Sequence, residues 1–198
     1  MTKPRKQLVL DAGGVLASDL PAFWEGLASA AGMAYGDLRE RYQAQVREAL
    51  WTGKMSEDAF WAWVEQCCPS LSRAQGRRLL QEALVPLPAL GLLPEWSRYA
   101  DLHILSNHRA EWLLPLLEPV KGHLAGVTVS SETGFRKPEP GIYERAARLL
   151  KPGFPILFVD DQERNLAEAS RLGWETLLAD ENGAWMGQVG AWLRRDEA

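Results

Sequence analysis

Short apolar runs punctuate the chain at Leu8–Leu10, Leu102–Leu105, Val127–Val129, Ile156–Val159 and Thr176–Leu178. Each is too short for a stable helix, and several end on polar residues, so the pattern predicts buried strands. Between the later runs the apolar spacing lengthens. Ile142, Tyr143, Ala146, Leu149 and Leu150 fall on one helical face, and Leu166, Ala169 and Leu172 on another, with Gly173 placed to end the second helix. Strands alternating with helices predict an α/β fold, a parallel sheet covered on both sides.

The stretch from about Leu20 to Val85 reads differently. Phe23, Leu27, Ala30 and Ala31 share a helical stripe, as do Leu38, Tyr42, Val46 and Ala49, and again Phe60, Trp63, Val64 and Cys67. Ser72 and Gln75 have the spacing of a reciprocal helix cap. No strand pattern interrupts them, and the proline-punctuated "VPLPALGLLP" closes the stretch. Residues 19–86 are therefore expected to form a small helical cap, inserted into a core made of residues 1–18 and 87–198. Phe60, Trp61 and Trp63 cannot all face one side of a helix, which predicts an aromatic residue left over to line a cleft or a dimer contact.

Ligands of open parallel sheets bind beyond the carboxyl ends of the strands. Asp11, Ser106-Asn107 and Asp160-Asp161 end three of the predicted strands. They are expected to meet at one sheet edge, under the insert.

Composition narrows the partners. A chain of 198 residues, 46% hydrophobic and 24% charged, suits one soluble domain with an insert. The net charge of −4 and the lack of a long basic run disfavour nucleic acid or an anionic membrane surface, while leaving room for a local anion site. The two cysteines, Cys67 and Cys68, are adjacent, so a disulfide framework is not expected and a reducing cytoplasm is the simplest setting. "MTKPRK" followed by "LVL" resembles the start of a signal peptide, but Asp11 and Gly13-Gly14 interrupt the apolar segment too early.

Each candidate residue has an ordinary structural reading: a strand-end aspartate, turn-forming Ser106 and Asn107, a surface Lys137 before proline, and Asp160-Asp161 capping a helix near Glu163. Their joint occurrence fits phosphoryl transfer. A carboxylate can attack phosphorus and split one hard displacement into two. Its charge repels the phosphate, so a divalent cation must stand between them, and Asp11, Asp160 and Asp161 offer hard oxygen ligands for Mg²⁺. Ser106, Asn107, Lys137 and the backbone N–H groups around Ala12–Gly14 offer donors to the phosphate oxygens.

These motifs, in this order, resemble the haloacid dehalogenase-like (HAD) hydrolase superfamily, in the branch with a helical cap after the first strand. "LVLDAGGVL", "ILSN", "SSETGFRKPEPGIYERA" and "ILFVDDQERNLAEASRLGW" match its four motifs over nearly the whole chain. The resemblance implies a Rossmann-like three-layer core, Mg²⁺ dependence and an aspartyl-phosphate intermediate. It makes Asp11 the nucleophile and a metal ligand. The Gly13 carbonyl and Asp160 become further ligands, with Asp161 supporting the metal through water. Ser106, Asn107 and Lys137 hold the phosphate of a small phosphorylated metabolite, in a monomer or homodimer.

Most phosphatases of the family carry a second aspartate where this chain has Gly13. That group protonates the leaving group and then activates water, a contribution of roughly 10²–10⁴-fold. Three explanations are open. The leaving group could need little protonation, as in the similar sugar-phosphate phosphatases that lack this aspartate. His108 could substitute as the acid. Or the chain could bind phosphates without turning them over, or act as an interaction protein. Haloacid dehalogenases also lack the aspartate, but they usually carry an aromatic residue at that position and a less acidic fourth motif. Phosphonate-cleaving members use a cap lysine; the sole candidate, Lys54, lies in a predicted turn, "WTGKMSE". The cap is expected to close over substrate, hinged near Ala17–Asp19 and Val85–Leu87, with Trp24, Trp51, Trp61 and Trp63 available to its pocket.

Overall fold

All five apolar runs form strands in the computed structural model, which describes residues 5–195. They are β1 (Lys6–Leu10), β2 (Ala100–Ser106), β3 (Leu124–Val129), β4 (Ile156–Asp160) and β5 (Glu175–Leu178), arranged in the order β3-β2-β1-β4-β5 with every pair parallel. The first strand in sequence is thus central, and the order reverses beside it, between β1 and β4. Crevices at such reversals are where doubly wound sheets bind ligands.

Five helices follow β1 before the chain returns to the sheet: α1 (Pro21–Ala31), α2 (Tyr35–Gln45), α3 (Arg47–Trp51), α4 (Glu57–Cys67) and α5 (Arg73–Ala83). The remaining helices are α6 (Leu93–Trp96), α7 (Ala110–Leu117), α8 (Ser130–Thr133), α9 (Pro140–Ala147), α10 (Glu163–Arg171) and α11 (Ala184–Arg194).

Side chains alternate across the sheet with the two-residue period of a strand. Leu8, Leu10, Leu102, Ile104, Leu157 and Val159 face one layer, against Trp96, Leu113, Trp185 and Trp192 of α6, α7 and α11. Val9, Leu105 and Phe158 face the other, against Ile142, Tyr143 and Ala169 of α9 and α10, with Trp174 beyond them. This makes the three-layer α/β core. Two predicted stripes overrun their helices: α9 ends at Ala147 and α10 at Arg171, leaving Leu149 49% and Leu172 46% exposed.

The insert helices pack around their own core, into which Trp112 of α7 also reaches. The predicted cap at Ser72 forms in both directions with Gln75. The α2 stripe is broken: the helix ends at Gln45, and Val46 (φ −125°) turns the chain while staying buried. The expected leftover aromatic does not exist on α4, because Phe60, Trp61 and Trp63 are all buried. Trp61 has its own niche, since a Cβ on Gly76 of α5 would come within 2.8 Å of its ring. Its indole N–H donates to Glu57 Oε1 at 2.8 Å, Trp63 donates to Gln45 at 2.9 Å, and Trp51 donates to the Tyr42 hydroxyl. Buried rings with satisfied polar ends are worth about 1.5–3 kcal/mol each.

The two segments joining insert to core pair with each other. Ser18 N–H donates to Val85 O and Leu87 N–H to Leu16 O, both at 2.9 Å, and Ser18 Oγ donates to Ala83 O at 2.6 Å. A further contact lies at the far side. Gly53, in the turn after α3, has φ +73°, and a Cβ there would meet Ser131 O at 1.9 Å. Nearby, Arg109 Nη1 donates to Met55 O at 2.6 Å and Leu50 O at 3.3 Å. No helix among the described residues is long and apolar enough to cross a membrane.

Candidate functional site

The carboxyl ends of β1 and β4 bring Asp11 and Asp160 together around one ammonium group. Lys137, on the loop after α8, places Nζ 2.7 Å from Asp11 Oδ2 and 2.6 Å from Asp160 Oδ2, and all three side chains are nearly or wholly buried. The other oxygens of the two carboxylates are engaged locally. Asp11 Oδ1 accepts from Ala12 N–H at 2.6 Å; Asp160 Oδ1 accepts from Gln162 N–H at 2.9 Å and from Asn165 Nδ2 at 2.8 Å. Asp160 therefore braces the turn into α10 without capping the helix, whose N-cap is Gln162 with no side-chain cap bond.

Asp161 completes an acidic trio. Each of Asp11, Asp160 and Asp161 offers an oxygen within 4.8 Å of the others, a spacing that could hold a metal ion. Asp161 Oδ1 is buried with no hydrogen-bond partner. A Cβ on Gly14 (φ +68°) would lie 2.7 Å from Asp161 Oδ2, so only glycine lets the loop pass this carboxylate. The backbone bridge of this loop runs from Ala17 N–H to Ala12 O and from Gly14 N–H to Ala17 O, framing Gly13 without using its carbonyl.

Three carboxylates against one ammonium leave the site short of positive charge. Burial, reinforced by Asp160 and Asp161, raises the Asp11 carboxyl to about 7 although Lys137 opposes the shift. Burial, with Asp160 and Asp19, raises Asp161 to about 6. Burial disfavours the Lys137 ammonium, but Asp11 and Asp160 outweigh it and hold its pKa above the ordinary lysine value. An orphaned buried oxygen and surplus hard anionic ligands are what a hard divalent cation fits.

The other predicted residues are arranged less directly. Ser106 ends β2 and is buried. Asn107 holds the Lys137 backbone from both sides, donating to Lys137 O at 3.0 Å and accepting from Lys137 N–H at 2.7 Å. One of its amide hydrogens thus positions the lysine loop and is not free for a ligand. His108 fits poorly as an acid. Burial pushes its pKa down to about 4, and its ring meets Trp51 and Trp112 edge-on, so at neutral pH it carries no ionisable extra proton.

Lys54 is exposed in the bend between α3 and α4, and the buried lysine held between carboxylates is Lys137. Sequence reasoning missed Asp19, Asn165 and Arg109. Asp19 Oδ1 lies 3.0 Å from where a Cβ on Gly13 would be; the residue is exposed overall, and partial desolvation on its cleft side raises its pKa. A carboxylate from six residues further on thus fills the room that glycine leaves. Above this edge lies a cleft of about 400 Å³, lined by Gly13, Asp19, Asn107 and His108 below and by Trp24 and Trp51 of the insert above.

No protein-family model and no curated protein matches the chain. Solved structures do. A predicted HAD-like family hydrolase from Porphyromonas gingivalis is 25% identical with a TM-score of 0.78, over 97% of this chain and 99% of the other. A HAD family enzyme from Bacteroides thetaiotaomicron, in complex with magnesium and inorganic phosphate, is 22% identical with a TM-score of 0.74, over 88% and 93%. The L-2-haloacid dehalogenase from Xanthobacter autotrophicus, with chloropropionic acid covalently bound, shares the fold at 19% identity and a TM-score of 0.60, over 87% and 76%. The chain thus shares the fold of HAD-like hydrolases almost end to end, with its motif carboxylates and lysine gathered at one sheet edge.

Proposed function

We propose that this protein is a Mg²⁺-dependent phosphomonoester hydrolase acting on a small phosphorylated metabolite. One observation carries the reading: three adjoining carboxylates face a single ammonium group, a deficit that a divalent cation and a bound phosphoryl group divide between them. The magnesium and phosphate held by the Bacteroides enzyme support the same choice of ligands. Asp11, Asp160 and the Gly13 carbonyl would hold the metal, with Asp161 behind them. Bound there, Mg²⁺ neutralises charge between nucleophile and phosphate.

The chain's own residues supply the remaining steps. An Asp11 carboxylate oxygen attacks phosphorus, and the bond from phosphorus to the leaving oxygen breaks. Lys137, Ser106 and Asn107 hold the non-bridging oxygens, with Asn107 also fixing the lysine loop. Asp19, standing where the usual second aspartate would reach, gives its proton to the departing alkoxide. It then takes a proton from the water that attacks the aspartyl phosphate, releasing orthophosphate and restoring Asp11. Residues 19–86 act as the cap that shields these steps from bulk water. Dehalogenation at the same nucleophile is less well supported. Two further carboxylates beside Asp11 would repel a haloacid carboxylate and the departing halide alike.

The test is release of orthophosphate from a panel of phosphomonoesters with Mg²⁺. Turnover is expected in the wild type and lost both in Asp11→Asn and on chelation. Release that survives either treatment refutes the reading, as does a panel on which nothing is cleaved.

A further inference from the structure

The cleft above the acidic edge is basic, which the chain as a whole is not. The net charge is −4, yet Arg39, Arg47, Arg136 and Arg164 line this cleft, and Asp19 is the one carboxylate among its lining residues. Three of the arginines come from separate segments: Arg39 from α2, Arg47 from the start of α3 and Arg136 from the loop that carries Lys137. Tyr42 lines the same cleft, with the Arg39 guanidinium 5.2 Å from its ring centre.

Their partners are unevenly distributed. Arg136 Nε lies 2.9 Å from Glu48 Oε2, close enough for an ion pair though not aligned as a hydrogen bond, and 3.6 Å from Glu139. Arg39 rests on aromatic faces, 5.5 Å from the Trp24 ring centre and 5.2 Å from that of Tyr42. Neither Arg39 nor Arg47 makes an ion pair with a carboxylate among the described residues. Gathering like charges in a partly closed cleft opposes folding, and a guanidinium fork is built to take a carboxylate or phosphate with two hydrogen bonds.

We infer that the substrate is doubly anionic: besides the phosphoryl group removed at Asp11, it carries a second phosphate or a carboxylate, held by Arg39, Arg47 and Arg136. This rests on the phosphomonoesterase reading and narrows it. The phosphoryl end goes down to Asp11, the aromatic walls pack on the linking carbon frame, and the distal anion meets the two insert arginines and Arg136 of the lysine loop.

Three matched phosphomonoesters of equal chain length separate the cases: one with a neutral far end, one with a carboxylate and one with a second phosphate. With Mg²⁺, kcat/KM for at least one doubly anionic ester is expected to exceed that of the neutral one by roughly 10- to 100-fold, the worth of one charge-assisted contact. The better of the two identifies the distal group. In Arg39→Gln/Arg47→Gln that ratio is expected to fall about tenfold or more, chiefly through KM, with melting temperature reporting that the insert still folds. Binding to Asp11→Asn, followed by tryptophan fluorescence because Trp24 and Trp51 line the cleft, is expected to rank the esters the same way. Phosphate release with no preference among the three overturns this inference alone. No release from any of them, together with no ranking in binding, overturns the hydrolase reading as well.

Discussion

The sheet edge and the helical insert bury polar groups by opposite rules. In the insert the indoles of Trp51, Trp61 and Trp63 each donate to a side-chain oxygen, and the rings pack on one another. At the edge, Asp11 and Asp160 share one lysine, and Asp161 beside them keeps a buried oxygen without a partner. The first arrangement is finished as it stands. The second leaves a buried oxygen unanswered and acidic groups in excess, which is how a site built for a ligand differs from a finished core. Substitutions should accordingly hurt activity at the edge and stability in the insert.

The sharpest break of that contrast is Asp11→Asn. It is expected to cost about 10⁴-fold or more in turnover, as loss of a nucleophile does, while the metal-free protein melts no earlier than wild type. A lower melting temperature would mean that Asp11 is structural. The converse is Phe60→Ala, where a buried ring is lost from the middle of the insert. It is expected to destabilise by about 3–5 kcal/mol in denaturant unfolding without touching a group that meets phosphate.

Asp19→Asn tests whether the edge extends into the segment that enters the insert. Turnover is expected to fall roughly 10²–10⁴-fold for alkyl phosphates and far less for aryl phosphates, whose phenoxide leaves unaided. An equal loss for both classes would remove Asp19 from proton transfer.

The smallest effect is one of pH on the metal-free protein. Asp161, raised to about 6, binds its proton more tightly when folded than unfolded, so its contribution to stability falls as pH rises from about 4 to 6. His108, lowered to about 4, behaves in the opposite sense: its contribution is lost as pH falls from 6.5 toward 4, by up to about 3 kcal/mol. Removing that rising contribution in His108→Phe should make stability decline more steeply with pH over this window. Removing the falling one in Asp161→Asn should flatten the decline. Unfolding midpoints across the window decide both.

Much of this contrast was legible in the residues. Strands announce themselves as short apolar runs covered on both sides, and their polar ends then bring Asp11 and Asp160 to one edge. Ser72 and Gln75 identify a helix start by local chemistry alone. What escaped depended on packing across distance. Asp19 matters through the volume missing at Gly13, which no periodicity encodes. Trp61 can be buried only because Gly76, on another helix, stands aside. The arginines at 39, 47 and 136 belong to three patterns that look like solvated helix or loop until the fold lines one cleft with them.

Arg109 gives the insert an anchorage that two hinges alone would not. Its guanidinium, 5% exposed, is answered by carbonyls at Leu50 and Met55 on one side of the boundary and by Glu111 on the other. Swinging the insert wide would abandon half of those partners and leave a cation ill-hydrated, at a cost of several kcal/mol. If the proposed reading holds, a small molecule should enter past the arginines that line the cleft while the roof stays latched, and would meet their charge before it meets Asp11.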